Sequence, residues 1–297
     1  MISVEEALAE ILSHVGPLEP ERIPILEALG RVLAEEIVSD IDIPPFDNSA
    51  MDGYAVRAAD VAGAPARLAV RGSVAAGYVT TVRLEPGTAI RIMTGAPVPA
   101  GADTVAVLED VVAEAATVRV QAVPPRGANI RRRGEHIRRG AVAIAAGRHL
   151  RDADIGLAAG VGVSTLAVCR RLRVGILSTG DELADPPQAL GPGGSYDANR
   201  PLLHAALERS GFDVHDLGIC RDTSQAFAST LARARQLGLD ALVASGGAAQ
   251  GDADVVRAAS GVRFVPLAVR PGRGLAFARI EGDGPTLALF GLPGNAV

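Results

Sequence analysis

The pattern of apolar and polar residues differs between two parts of the chain. From about residue 172, short apolar runs such as residues 172–178 and 240–244 alternate with segments of helical period, such as residues 199–211 and 224–238. Strands that alternate with helices predict a parallel sheet joined by right-handed crossovers. The second part of the chain is therefore expected to be an α/β domain.

The first 170 residues follow a different pattern. Residues 3–14 begin with a Ser-x-x-Glu capping box and continue with apolar positions at helical spacing, and a second helix is expected from about residue 24 to 36. Between about residues 40 and 145, short Val-rich runs separated by Gly and Pro predict a small all-β unit. A short helix is expected at residues 151–160.

These patterns predict an α/β multidomain protein. We expect an elongated N-terminal domain of helices and strands, formed by residues 1–40 and 141–170, with an all-β domain of residues 41–140 inserted into it. Residues 171–297 are expected to form a three-layer α/β domain around the parallel sheet. The length agrees, because 297 residues exceed the usual size of one compact core.

Composition excludes several classes of protein. The chain is 48% apolar and 21% charged, which is typical of a globular protein, and its net charge of −5 argues against a nucleic-acid partner. Cys169 and Cys220 form neither a disulfide framework nor a metal-ligand spacing, which fits a reducing compartment. Because the N-terminus lacks a basic signal region and no apolar stretch reaches ~20 residues, we expect a cytoplasmic protein without a membrane span.

Three predicted strands end in glycines and small polar residues. In a parallel sheet the carboxyl ends of the strands meet at one edge, where ligands bind. Glycine amides there can hold an oxyanion, and Mg²⁺ can join the carboxylates of Asp181 and Glu182 to a phosphate. For either carboxylate alone, a role at a helix N-terminus is the more common explanation. The three strand ends are residues 179–182, 245–247 and 291–295.

Two further pairs of charged residues follow predicted strands, and each pair has two explanations. Asp252 and Asp254 follow the glycines of residues 245–247, where a helix N-cap accounts for one of them but not obviously for both. Arg270 and Arg273 flank a Pro-Gly turn, which suits the clamping of an oxyanion but is equally common as a solvated turn.

Four further polar residues lie in loops or at a predicted helix start. Asp52 and Thr94 belong to two small loops of the all-β region, and either loop alone is typical of ordinary turns. Asp197 and Asn199 open the first helix of the α/β region. Helix capping is the ordinary explanation for both residues, and for Asn199 it is as good an explanation as a functional role.

Six short motifs occur in a fixed order along the chain. They are DNSAMDGYA, RIMTGAPVPAGAD, GANIRRRGE, STGDEL, SGG followed by GDAD, and GLPGN. Together they resemble the molybdopterin molybdenumtransferase family, which includes the E domain of gephyrin. The resemblance covers essentially the whole chain, and the combination is highly specific although each motif alone is weak.

The resemblance implies that the α/β domain binds molybdopterin. It implies an enzyme of molybdenum cofactor biosynthesis that inserts molybdate into adenylylated molybdopterin, releases AMP, uses Mg²⁺ and forms a homodimer. Its partners would be a small pterin nucleotide and other proteins of the same biosynthesis. The alternative is a non-catalytic carrier or scaffold for the pterin nucleotide. An unrelated Mg²⁺-dependent nucleotide hydrolase would explain the strand ends but not the motifs of the all-β region.

The resemblance also implies roles for individual residues. The implied catalytic residues are Asp52, Thr94, Glu182 and Asp254. The implied metal ligands are Asp181, Glu182 and Asp252. The residues implied to bind the pterin nucleotide are Thr179, Gly180, Ser245, Gly246, Gly247, Arg270, Arg273, Pro293, Gly294 and Asn295.

The sequence departs from the family pattern at several positions. His136 stands where the family has a carboxylate, the SGG loop continues as Ala-Ala-Gln, a proline is lost at Gly274, and Ala296 replaces a proline. Family members continue with a helix and a further small β domain, which we expect this chain to lack. These departures favour the carrier, whereas the intact STGDEL and MTGAPVP motifs favour the enzyme.

Overall fold

The structure is a computed structural model that describes residues 1–246, 256, 263–268, 274–281 and 286–294. The chain forms two compact units, each built from separate segments. The first, named the α/β unit, comprises Met1–Ile23, Gly30–Ala34 and Ala167–Val297. The second, named the β-rich unit, comprises Pro24–Leu29 and Glu35–Leu166. The three domains predicted from the sequence divide the chain differently, at residues 40, 140 and 170, and that division stays a prediction.

The α-helices of the described residues are short. They are α1 (Val4–Leu12), α2 (Asp152–Gly160), α3 (Asn199–Arg209) and α4 (Ser224–Gln236). Each lies within a segment for which the sequence predicts a helix. Across the described part of the chain, no helix combines the length and the apolar character that a membrane crossing requires.

The strands are distributed along both units. The first twelve are β1 (Pro20–Pro24), β2 (Ile37–Val38), β3 (Asn48–Ser49), β4 (Gly53–Val56), β5 (Ala66–Val74), β6 (Thr88–Ile92), β7 (Thr104–Val107), β8 (Val111–Glu114), β9 (Thr117–Val120), β10 (Ile130–Arg131), β11 (Val142–Ile144) and β12 (Thr165–Cys169). The others described are β13 (Arg173–Thr179), β14 (Leu183–Ala184), β15 (Ser195–Tyr196), β16 (Asp213–Cys220), β17 (Ala241–Ser245), β18 (Arg263–Pro266), β19 (Gly274–Ile280) and β20 (Leu287–Leu292).

Side chains of Ser3 and Thr223 cap the starts of α1 and α4. At α1, the Ser3 hydroxyl accepts a hydrogen bond from the Glu6 N–H at 3.1 Å, and the Glu6 carboxylate accepts one from the Ser3 N–H at 2.8 Å. The predicted capping box is therefore present, and it satisfies two amides that would otherwise lack an intrahelical partner. At α4, the Thr223 hydroxyl accepts a hydrogen bond from the Ala226 N–H at 3.2 Å.

The helix predicted for residues 24–36 is wrong. A strand and a single 3-10 turn occupy its first part, and Gly30 takes a positive φ of 74°. Farther along, the buried Leu33 forms a β-bridge with Val168 instead of lining a helical face. Pairing with a distant strand therefore overrides the local apolar period.

The α/β unit contains a six-stranded mixed sheet with strand order β16-β13-β17-β20-β19-β18. The first four strands are parallel to one another, as the alternation of strands and helices predicts. β19 and β18 extend the sheet in antiparallel fashion. The sequence pattern did not identify β19.

The parallel strands are held by one continuous core. β13 is buried along nearly its whole length, as expected for a strand that is covered on both faces. Leu177, Leu242 and Leu289, one from each of three neighbouring strands, pack with Phe227 of α4 in the same cluster. Burying each of these side chains contributes about 1.5–3 kcal/mol. The carboxyl ends of the strands therefore start from a rigid layer.

The β-rich unit contains a second six-stranded sheet with order β7-β4-β6-β5-β9-β8. Its neighbours are antiparallel except for the parallel pair β5–β6. Val56, Leu68 and Val118 are fully buried in its core, which confirms that the Val-rich runs form strands. Because the β4–β6 pairing aligns Gly53 with Ile92, the segments before β4 and after β6 lie side by side.

Candidate functional site

Three loops meet at one edge of the mixed sheet. β13, β17 and β20 are neighbours, and their parallel register aligns Ser178 with Ser245 and Ser245 with Leu292. The chain therefore leaves all three strands at the same level. This confirms that the polar strand ends predicted from the sequence lie together, and we name the loops that follow β13, β17 and β20 the strand-end loops.

The strand-end loops approach each other closely enough to require glycine. Gly246 has a φ of 87°, and a Cβ built on it would lie 2.7 Å from the Thr179 hydroxyl and 2.8 Å from the Thr179 carbonyl oxygen. A Cβ on Gly294 would lie 3.0 Å from the Cα of Gly246. The Gly246 N–H also donates to the Leu292 carbonyl at 3.0 Å. The loops therefore pack backbone against backbone, and a side chain at Gly246 would separate them.

Gly180 shapes the turn that carries the two predicted carboxylates. Its φ is 155°, and a Cβ there would lie 2.6 Å from a carboxylate oxygen of Glu182. The Gly180 N–H donates to the Cys220 carbonyl at 3.3 Å, which ties the turn to the end of β16. Asp181 and Glu182 are both exposed, so their carboxylates are available to a ligand.

Sequence reasoning missed a third carboxylate, Asp222, which follows β16. Its backbone N–H donates to the Asp181 carboxylate at 3.4 Å. Burial raises the pKa of Asp222, and the negative charges of Asp181 and Glu182 raise it further. The only signal for it in the sequence was its place shortly after a predicted strand, which the structure pairs with β13.

This local excess of negative charge is the feature of the structure that a bound cation would fit. A divalent cation between Asp181, Glu182 and a phosphate would remove the repulsion that raises the pKa of Asp222. Within the described residues, no three His, Cys, Asp or Glu side chains are arranged to hold a metal ion by themselves. Mg²⁺ commonly takes only one or two protein carboxylates and completes its shell with water and phosphate, so a closed protein cage is not required.

A buried ion-pair network lies beside the β13 loop. The Asp197 carboxylate accepts hydrogen bonds from the Ser178 hydroxyl at 2.9 Å and from the Arg200 Nε at 2.9 Å. Arg200 also donates to the carboxylates of Asp185 and Asp216. Burial lowers the pKa of Arg200, but the hydrogen bond with Asp197 and the nearby negative charges outweigh it and raise that pKa overall. The guanidinium is therefore charged.

Both capping residues predicted at the start of α3 have further contacts. Asp197 accepts a hydrogen bond from the Arg200 N–H at 3.1 Å, which is a local helix-start contact, in addition to the network above. The Asn199 amide donates to the Gly294 carbonyl at 3.4 Å. Capping alone therefore does not account for either residue, because Asp197 also belongs to the ion-pair network and Asn199 joins α3 to the loop after β20.

In the β-rich unit, the structure brings Asp52 and Thr94 together. The Asp52 carboxylate accepts hydrogen bonds from the Thr94 N–H and from the Thr94 hydroxyl, both at 2.7 Å. These hydrogen bonds, the backbone one first, lower the pKa of Asp52. The carboxylate is therefore ionised at neutral pH and held in one orientation, while both side chains remain exposed.

The arginine-rich loop of the same unit is partly neutralised by acidic residues. Asp47 accepts a hydrogen bond from the Arg133 N–H at 2.8 Å and another from the Arg132 guanidinium at 2.7 Å. The His136 side chain is 61% exposed, and its Nε2 lies 3.9 Å from the Glu135 carboxylate. The pairs of Arg132 and Arg133 agree with the interpretation that most of these arginines belong to a solvated loop.

Several predicted site residues lie outside the described residues. They are Gly247, Asp252, Asp254, Arg270, Arg273 and Asn295. Their roles therefore rest on the sequence alone. The sequence also predicts a helix at residues 253–261, of which only Val256 is described.

Two family models match nearly the whole chain. The MoeA N-terminal region (domain I and II) matches residues 2–162, and a probable molybdopterin binding domain matches residues 175–297. A molybdopterin molybdenumtransferase of Haemophilus influenzae is 37% identical over 304 residues, which cover 100% of this chain and 74% of that protein. The chain belongs to the molybdopterin molybdenumtransferase family. The second model includes all three strand-end loops, and the first includes Asp52 and Thr94.

Other members of the family agree in sequence and in structure. Molybdopterin molybdenumtransferase 2 of Mycobacterium tuberculosis is 37% identical over 313 residues, which cover 100% of this chain and 76% of that protein. A crystal structure of the molybdopterin biosynthesis MoeA protein of Pyrococcus horikoshii matches with a TM-score of 0.83 and 30% identity, covering 98% of this chain and 74% of that one. The resemblance inferred from the motifs is therefore confirmed.

Proposed function

We propose that this protein inserts molybdenum from molybdate into adenylylated molybdopterin and releases AMP. Membership of the molybdopterin molybdenumtransferase family supports an enzyme of molybdenum cofactor biosynthesis. The observation that carries the proposal is the meeting of three glycine-containing loops at one sheet edge, within the residues that match the molybdopterin binding domain. No described contact favours the alternative of a non-catalytic carrier.

The strand-end loops are the proposed binding site of the pterin nucleotide. The substrate carries a pyrophosphate link and molybdate is a further anion, so the site needs donors and positive charge. The Gly180 and Gly246 amides are already used by the Cys220 and Leu292 carbonyls, so other backbone amides of the same loops are the proposed donors to the phosphate oxygens. The other members of the proposed set are Thr179, Ser245, Pro293 and Gly294, together with Gly247, Arg270, Arg273 and Asn295, which lie outside the described residues.

The metal in this proposal is Mg²⁺, held by Asp181 and Glu182 together with substrate phosphate oxygens. When bound, it would neutralise the charge of the phosphate groups. The surroundings of Asp222 support this placement, because burial raises its pKa first and the negative charges of Asp181 and Glu182, which a cation would offset, raise it further. Asp252 and Asp254, which follow the SGG loop in sequence, stay proposed as a further metal ligand and a catalytic group.

For the β-rich unit, we propose that Asp52 and Thr94 are catalytic groups, as the family resemblance implies. The mutual hydrogen bonds support this role because the carboxylate is already oriented and ionised. A fixed charge of this kind costs little reorganisation during a reaction.

A homodimer in the cytoplasm, working with other proteins of molybdenum cofactor biosynthesis, completes the proposal. One face of α1 supports self-association, because Val4, Leu8 and Leu12 recur every four residues and are 47%, 53% and 57% exposed. An apolar helix face of this kind is typically covered by another surface.

The experiment that tests the proposal measures AMP released from adenylylated molybdopterin when molybdate is added. We expect release that depends on molybdate and Mg²⁺, and a loss of roughly tenfold to a hundredfold in Asp181→Asn. Asp152→Asn, which alters a carboxylate in the first turn of α2, is the matched control and should leave the rate unchanged. Tight binding of the substrate without any molybdate-dependent release would contradict the proposal and would favour the carrier.

A further inference from the structure

Arg200 makes the most extensive buried ion-pair contacts of the described α/β unit. Its side chain is only 9% exposed, and it pairs with Asp185, Asp197 and Asp216. Asp197 is buried as well, whereas Asp185 and Asp216 are partly exposed. These carboxylates belong to three separate places in the fold: the end of β14, the start of α3 and the middle of β16.

Two of these partners, Asp185 and Asp197, lie in residues 183–197, the segment that follows Glu182. β14 and β15 pair in parallel within this segment, and the Ser195 N–H donates to the Glu182 carbonyl at 3.0 Å. The Asp197 N–H donates to the Ala184 carbonyl at 3.0 Å. The segment therefore folds back on itself, so that Asp185 and Asp197 reach the same guanidinium.

The other contacts attach this folded segment to the sheet. Asp197 accepts the hydrogen bond of the Ser178 hydroxyl at the end of β13, and Arg200 pairs with Asp216 on the neighbouring strand β16. The turn at Asp181 and Glu182 lies between Ser178 and the folded segment. It is therefore fixed at both of its ends by contacts that converge on Asp197 and Arg200.

We propose that Arg200 is a positioning residue of the reaction, which holds the turn of Asp181 and Glu182 in place for the cation and the phosphate. The inference rests on the proposed role of these two carboxylates. A planar guanidinium can serve three carboxylates in different directions, whereas an ammonium group is a single compact charge. The geometry of the turn should therefore depend on arginine itself and not only on a positive charge.

Arg200→Lys is the decisive variant because it keeps the positive charge but loses the planar guanidinium, whose donors point in several directions. Arg170→Met is the control at the opposite end of the strands, since Arg170 also bridges two carboxylates, Asp240 and Glu19, at the amino end of β17. Asp216→Asn provides a milder second variant, should Arg200→Lys not fold, because it removes only the anchor on β16. Circular dichroism and thermal unfolding establish that each variant is folded.

The first readout is hydrogen exchange of the backbone amides, which requires neither metal nor substrate. In Arg200→Lys and Asp216→Asn we expect the amides of Ser195 and Asp197, which donate to the Glu182 and Ala184 carbonyls, to exchange about tenfold faster relative to amides of the six-stranded sheet. Arg170→Met should not produce this local change. Unchanged exchange at both amides in folded Arg200→Lys would overturn the inference.

The second readout is the binding of Mn²⁺, used as a spectroscopic substitute for Mg²⁺, in the presence of AMP. We expect wild type and Arg170→Met to bind alike, Asp181→Asn to lose binding, and Arg200→Lys to bind roughly tenfold more weakly. If Asp181→Asn loses binding but Arg200→Lys keeps it, the positioning role is overturned and the proposed function stands. If wild type shows no binding that depends on Asp181, both are overturned.

Discussion

The acidic residues at the two ends of the parallel strands in the α/β unit have opposite electrostatic surroundings. At the amino ends, Asp240 accepts two hydrogen bonds from the Arg170 guanidinium, both at 2.7 Å, and one from the Arg173 N–H at 2.8 Å. At the carboxyl ends, Asp181, Glu182 and Asp222 lie close together. The nearest guanidinium described there, that of Arg221, is 3.9 Å from the Asp181 carboxylate.

The pKa shifts express the same contrast. Burial raises the pKa of Asp240, but the hydrogen bonds and charge of Arg170 outweigh it and lower that pKa overall. Asp222 is shifted the other way, because burial and the charges of Asp181 and Glu182 all raise its pKa. The amino ends are thus arranged for stability, whereas among the described residues Asp181, Glu182 and Asp222 form a local excess of negative charge at the carboxyl ends. This is the pattern expected of a functional site.

The largest effect is expected from removing a carboxylate at the amino ends. Asp240→Ala would leave the Arg170 guanidinium and the Arg173 amide without their main acceptor, at a cost of roughly 3 kcal/mol in the free energy of unfolding. Urea denaturation measures this change. Molybdate-dependent AMP release, compared at a temperature at which both proteins are folded, should be unaltered. A loss below about 1 kcal/mol would show that the amino ends do not stabilise the fold.

The same variant gives a prediction for pH. A carboxyl whose folded pKa lies below its unfolded value of about 3.9 stabilises the fold above that value and loses this contribution as the pH falls through the folded pKa. The difference in stability between wild type and Asp240→Ala should therefore be largest near neutral pH and shrink below about pH 4. A difference that is independent of pH would exclude the ionised carboxylate as its source.

A substitution in the strand-end loops should have an intermediate effect. Gly246→Ala places a methyl group 2.7 Å from the Thr179 hydroxyl in a backbone conformation that disfavours side chains, and should cost about 2 kcal/mol. Ligand affinity should fall as well, since the loops would be forced apart. The matched control is Gly191→Ala, where a Cβ would meet nothing within 4 Å. Equal stability of the two variants in thermal unfolding would show that the close approach is not required.

The smallest effect, and one of opposite sign, is expected for Asp222. A carboxyl with a raised folded pKa favours folding below its unfolded pKa, and this contribution is lost as the pH rises through the folded pKa. Asp222→Asn should therefore stabilise the protein at neutral pH, by less than about 1 kcal/mol, and should make no difference at low pH. Clear destabilisation at pH 7 would contradict the contrast between the two strand ends.

Local patterns in the sequence predicted the elements that frame the site. The apolar runs predicted β13, β16, β17 and β20, and the helical period predicted α3 and α4. The motifs STGDEL and GLPGN marked the strand ends where glycine and polar residues replace apolar ones. Parallel pairing then brought those ends together, as expected.

Contacts between distant residues could not be predicted in this way. Arg200 occupied an ordinary helical position, and its partners Asp185 and Asp216 lie 15 and 16 residues away without any periodic relation. Asp222 belonged to no motif. The helix expected at residues 24–36 failed for the same reason, since its apolar residues pair with strands far along the chain. The local periodicity of a sequence carries no information about contacts between residues that are far apart along the chain.

The most direct test of the central claim is the thermal stability of the protein with Mg²⁺ and AMP added together. AMP is the product of the proposed reaction, and a ligand at 100 times its dissociation constant stabilises the folded state by about 2.7 kcal/mol. We predict that the pair raises the melting temperature of wild type and of Arg170→Met, but not that of Asp181→Asn. An equal rise in all three proteins, or no rise in wild type, would contradict a cation site at the carboxyl ends of the strands.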